Sequence, residues 1–169
     1  TSGTLSDPDS DLLVHYDFNN NINDAKNTYG DGRYNLTNTG GTIKFAQGCG
    51  YGNAAYFDSS TGYAFNDNFT DDNETTLTDN FTITMWINGD DDNKAYSAAY
   101  SSGAKNNSNH QIDVDNSDKL RMLFFNTGGA VSGFNQNNIT DSTQITNGQW
   151  YHLAAVHDDQ KNWKLYKNG

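Results

Sequence analysis

Asp113 and Asp115 stand two residues apart in the stretch HQIDVDNSD, a spacing that puts two carboxylates on one face of a β-strand. Carboxylates so placed are the simplest acid–base pair a strand can present. Their position at the tip of a predicted hairpin gives them a plainer role as solvated turn residues, because Asp side chains accept hydrogen bonds from nearby backbone N–H groups. Glu74 is the only glutamate among the 21 acidic residues and sits in the polar loop TDDNETT. His15, His110, His152 and His157 show no metal-ligand spacing and no adjacent nucleophile. His152 and His157 fall on opposite faces of one extended strand by parity, so they cannot share an ion, and His152 is expected to pack or hydrogen-bond within the sandwich. Cys49 is alone, which excludes an internal disulfide and a cysteine-ligated zinc, and its setting in GCGYG is that of a free thiol packed in a turn. The runs Asp71-Asp72 and Asp90-Asp91-Asp92 offer hard oxygen ligands for a cation, but without a defined spacing they read as solvated loops.

The elements that must position these groups are strands. FTITMWI sets Phe81, Ile83, Met85 and Ile87 on one face and Thr82, Thr84 and Trp86 on the other, so the Thr and Trp side is expected to face a sheet surface or groove. HQIDVD and KLRMLFF form a hairpin across Asn116 to Asp118, and WYHLAAVHD and NWKLYKNG form a second pair. DLLVHYDF alternates and predicts a core strand, short extended pieces follow around Tyr34 to Leu36 and Ile43 to Phe45, and the glycines of GCGYG predict a tight turn. No apolar residues recur at helical spacing for long enough to make a helix, so the expected class is an antiparallel all-β sandwich.

At 169 residues the chain has room for one core, and 13% aromatic residues offset a hydrophobic content of only 34%. The net charge of −11 disfavours nucleic acid and anionic membrane surfaces as partners and favours small cations. Asp and Asn are short, suit turns and coordinate hard cations, so their abundance points to a loop-rich β protein in a calcium-containing medium. No apolar run is long enough to span a bilayer, so direct membrane insertion is not expected. Exposed aromatics beside amides are what a sugar surface needs, and Tyr96, Tyr100, Asn107, Asn109 and His110 lie together in one loop-bounded stretch.

Taken in order, DLLVHYDFNN, GYGNAAYFD with Tyr63 soon after, NFTITMWI, NGQWYHLAAVHD and WKLYKNG resemble a laminin G-like domain of the concanavalin A-like lectin/glucanase superfamily. The resemblance covers residues 11 to 169, with residues 1 to 10 read as a linker. It implies a two-sheet antiparallel jelly roll, common in secreted and surface proteins that bind carbohydrate or protein. In that family further strands follow the Leu-Tyr strand and close the sandwich, so the resemblance leads to the expectation that these closing strands are missing here. Asn168-Gly169 suits a type I′ turn, which leads to the expectation of a returning partner for Lys164 to Lys167. Large RTX-type adhesins of marine bacteria contain domains of this look that are interrupted by an inserted module, so a split domain is one expectation and plain truncation the other.

The resemblance also implies a structural Ca²⁺ near the first strand, with Asp17, Asn19 and a carbonyl of the glycine turn, Gly52, as its ligands. Laminarinase-like relatives use two glutamates on one strand face as acid and nucleophile, and a chain with Glu74 alone cannot supply them. The expected role is therefore a non-enzymatic extracellular module of a bacterial surface adhesin. Its expected partners are a glycan or surface protein and neighbouring modules of the same polypeptide. The alternative is a scaffold that presents an inserted ligand-binding module.

Overall fold

The computed structural model describes residues 12–27, 29–40, 42–50, 52–57, 63–66, 80–89, 97–102, 110–124, 137–158 and 162–169. Eleven strands run through these residues, every pairing between them is antiparallel, and no helix occurs among them, as the alternation in the sequence leads one to expect. The chain divides into two compact units, Thr1–Thr76 and Leu77–Gly169.

In the first unit β1 (Thr37–Thr39) pairs with β4 (Tyr63–Phe65), and β2 (Lys44–Gln47) pairs with β3 (Asn53–Tyr56). The glycines make the expected turn between β2 and β3: Gly48 N donates to Gly52 O at 3.1 Å, and the half-buried thiol of Cys49 lies within it. The DLLVHYDF segment, expected as a core strand, is not one. Its exposure still alternates from Val14 to Phe18, with His15 and Asp17 outward. Its backbone, however, is taken up by a side chain: Asp24, 5% exposed, accepts from His15 N at 2.9 Å and from Lys26 N at 3.0 Å, while Ala25 N donates to His15 O at 2.7 Å. A short Asp side chain that satisfies backbone donors competes with a ladder, and here it prevails. Tyr16 Oη donates to Tyr34 O at 2.6 Å, and Tyr34 itself, 1% exposed, anchors this unit.

The second unit contains two sheets. One has the order β11–β10–β5, from Trp163–Lys167, Trp150–His157 and Phe81–Asn88; the other is the meander β6–β7–β8–β9, from Ser97–Ser102, His110–Val114, Lys119–Phe124 and Asn137–Gln144. Strand β10 shows why the sheets stack. Tyr151, Leu153, Ala155 and His157 are buried while the residues between them are not, so one face of the strand is apolar and closes on Ile112, Leu120 and Met122 of the other sheet. Ile83, Met85 and Ile87 of β5 join the same core, as their spacing predicts.

Two features hold this sandwich in register. At the β7–β8 turn Asp115 Oδ1 accepts from Ser117 N at 2.8 Å and Lys119 N at 3.0 Å, the turn role expected of it. Lys167, the last residue of β11, pairs with Asp141 and donates to Thr143 Oγ1, both on β9, so a single ammonium ties one sheet to the other. Burial alone would raise the Asp141 pKa, but the Lys167 and Thr143 hydrogen bonds and the ammonium charge outweigh it and hold the carboxyl below its ordinary value.

Asp113 overturns its sequence reading. It is not a solvated turn residue: its exposure is 0%, and it is held by Arg121, whose Nε and Nη2 donate to the two carboxylate oxygens at 2.9 and 2.7 Å. Gln111 Nε2 adds a third bond at 2.8 Å. The cause is register, because Asp113 and Arg121 are direct cross-strand partners in the β7–β8 hairpin.

Candidate functional site

Among the described residues of the second unit, the outward face of the β11–β10–β5 sheet carries the large exposed aromatics. The alternation that buries Ile83, Met85 and Ile87 turns Thr82, Thr84 and Trp86 outward, and Trp86 is 55% exposed. Cross-strand pairing aligns Trp86 with His152, and Thr84 with Ala154, which in turn faces Tyr166 of β11. Tyr166 is 43% exposed. The Trp86 and His152 rings lie 5.1 Å apart, tilted by 57°. His152 therefore lies against an indole on the outer face and does not pack inside the sandwich as the sequence reading had it. His157 takes the inward position, 8% exposed and 4.3 Å from the Trp163 ring, because parity sends the two histidines to opposite faces. His152 is also fixed through its backbone: its N–H donates to Asn168 Oδ1 at 3.0 Å and its carbonyl accepts from Asn168 N at 2.8 Å.

The expected cation neighbourhood does come together, within the first unit. Asp17 Oδ1 accepts from Asn19 N at 2.9 Å, and Asn19 Oδ1 accepts from Asn53 N at 3.4 Å, next to Gly52. Asn53 Nδ2 donates to Asn20 Oδ1 at 2.7 Å, so two consecutive asparagines tie this loop to the start of β3. Gly52 is needed for a local reason. Its φ is +59°, and a Cβ there would come within 3.1 Å of Asn19 Oδ1. The donor set of Asp17, Asn19 and the Gly52 carbonyl is made of hard oxygens only, the type Ca²⁺ takes, and Asp17 Oδ1, Asn19 Oδ1 and Gly52 O each already accept a backbone N–H bond. Among the described residues no group of three His, Cys, Asp or Glu is placed to hold a metal, so the amide and carbonyl oxygens would have to provide most of the coordination.

Of the proposed sugar-contacting residues, Tyr96, Asn107 and Asn109 lie outside the described residues, as do Glu74 and the two aspartate runs. His110 opens β7, and Tyr100 in β6 is half-buried and packs against the core. The aromatic pair that does face outward, Trp86 and Tyr166, was signalled only by parity: each alternates with residues of the apolar face.

A laminin G family model, described as the concanavalin A-like lectin/glucanases superfamily, matches residues 57–169. The chain belongs to this superfamily. The matched segment contains the whole sandwich of the second unit and therefore the whole outward aromatic face, whereas Asp17, Asn19 and Gly52 precede it. Neither the curated proteins nor the solved structures include a match to the chain. Superfamily membership accounts for the two stacked antiparallel sheets; the chemistry of their surfaces belongs to this sequence.

Proposed function

We propose that this chain is a non-enzymatic adhesion module of an extracellular bacterial surface protein of the RTX type, and that it binds a glycan or a surface protein. The observation that carries the reading is the pair of large rings, Trp86 and Tyr166, exposed on a regular sheet face. Rings of this size contribute most of the contact area in recognition surfaces and are seldom left in water together. A superfamily whose members often bind carbohydrate or protein supports it. Absence of hydrolysis is supported by the single glutamate and by the burial of Asp113, whose two oxygens are both bonded to Arg121 and so face no substrate.

The test is a paired binding and turnover assay. The chain applied to an array of neutral polysaccharides and bacterial surface proteins should be retained by at least one, and incubation with β-glucans should release no reducing ends above the blank. Retention by none of them, or reducing ends released by the wild-type chain, would end this reading.

Calcium enters the proposal as a structural ion. When bound it would supply positive charge among oxygens of the Asp17–Asn20 loop and the β2–β3 turn, holding the two together. An ion bound only by the native state stabilises it by mass action, about 2.7 kcal/mol when its concentration is one hundred times Kd. Millimolar Ca²⁺ should therefore raise Tm, chelator should lower it, and Asp17→Ala should abolish the difference. Superimposable melting curves with Ca²⁺ and with chelator would remove the ion from the account.

A further inference from the structure

We infer that the outward face of the β11–β10–β5 sheet is a two-ring clamp for a neutral, linear oligosaccharide, with Trp86 and Tyr166 as stacking surfaces placed diagonally across His152 and Ala154 of β10. The inference rests on the proposed binding role and names the ligand class and the place.

Spacing is the first argument. Trp86 and Tyr166 sit on the two strands that flank β10, one side-chain row apart. Strand spacing and rise then separate their Cα atoms by about 12 Å. That is further than one sugar ring extends, so a ligand touching both must be a chain of sugars rather than a monosaccharide. Between the rings β10 presents the His152 ring, which lies against Trp86, and then drops to the methyl group of Ala154 beside Tyr166, with the exposed Thr84 on the other side of that methyl. A methyl floor gives the trough depth, and a hydroxyl at its margin can donate to and accept from a polyol.

Preorganisation is the second argument. The His152 ring lies 5.1 Å from that of Trp86, and both backbone groups of His152 are bonded to Asn168. The indole therefore has a fixed neighbour, and less rotamer freedom remains to be lost when a ligand stacks on it.

Charge chooses the occupant. The chain carries −11, yet no outward position of the three strands is Asp or Glu, and the ammonium of Lys164 is 3.2 Å from Asp158 Oδ2. The face is close to neutral on a strongly acidic protein. A sulfated or uronic glycan and a second copy of the chain both meet long-range repulsion from the rest of the molecule. An uncharged polyol does not, and it matches a surface made of rings, methyls and hydroxyls.

The experiment is calorimetric titration of the 169-residue chain with neutral gluco-, manno- and galacto-oligosaccharides from one to six units, with a sulfated series as control. At least one neutral series should bind, with affinity rising between one and three units and then levelling, and the sulfated series should bind no tighter. Trp86→Ala and Tyr166→Ala should each weaken binding at least tenfold with Tm unchanged, since both side chains are exposed. Binding that survives both substitutions would overturn the clamp while leaving the chain a binding module. Failure of every neutral series to bind the wild-type chain would overturn the clamp as well, and retention on a surface protein would then keep the broader role. Equal affinity for one unit and for three would remove the two-ring geometry.

Discussion

Arg121→Met is expected to destabilise the second unit by about 3–5 kcal/mol, because it strips a fully buried carboxylate of its counter-charge. Asp113 would keep only the Gln111 bond, at 2.8 Å, against the two bonds it loses. Water cannot reach a group of 0% exposure without opening the hairpin that carries it. The pair itself is a weaker contributor than this figure suggests, since bringing two charges out of water offsets most of their attraction. The double variant Asp113→Leu, Arg121→Met should therefore recover most of the loss. Chemical denaturation of the two single variants and the double variant measures both numbers. A cost below about 1 kcal/mol for Arg121→Met would mean that Asp113 is hydrated, contrary to the geometry described.

Leu153→Ala should cost about 2–5 kcal/mol. Leu153 lies at the centre of β10, 1% exposed, with β5 and β11 laddered on either side and the Ile112–Met122 face of the other sheet beneath it. Both neighbours in the sheet are fixed by the ladder, so the surroundings have little freedom to collapse into the space left, which places the expected loss in the upper part of that range. Thr84→Ala, one strand away and outward, is the contrast and should be nearly silent. Equal effects for the two substitutions in urea denaturation would contradict the stacking of the sheets.

Alternation made the second unit readable from residues alone. FTITMWI and WYHLAAVH each have one face of large apolar residues, so period two fixes which side is inward, and with it the outward direction of Trp86. The β7–β8 hairpin was equally open, because NSD between two alternating runs is a strong turn signal. Asp113 was misread for a reason available in the same stretch. Once the turn spans Asn116 to Asp118, counting outward pairs Asp113 with Arg121, and a carboxylate opposite a guanidinium is a bonded pair before it is a solvated one. DLLVHYDF was misread for a different reason. Alternation reports which side chains are covered; it does not report whether a neighbouring backbone is in place, and Asp24, nine residues on, competes for the same N–H group. For the site, the loop-rich stretch around Tyr96 drew attention because polar residues surround its aromatics. Trp86 lay on a side expected to face a sheet surface or groove, whereas Tyr166 lay in a strand read only as half of the terminal pair.

The connectivity of the three-stranded sheet has a kinetic consequence. The pairs β10–β11 and β7–β8 join neighbours in the chain and can form as local hairpins, but β5 meets β10 only after the entire β6–β9 meander has been threaded between them in sequence. Closing so long a loop has a conformational entropy cost before any contact offsets it, and contacts of high sequence separation are characteristically late and slow. Trp86 reaches His152 through that pairing alone. The aromatic face is thus absent from every partly folded species that has its hairpins but not its closure, and a chain still emerging from synthesis cannot display it until β10 has been made.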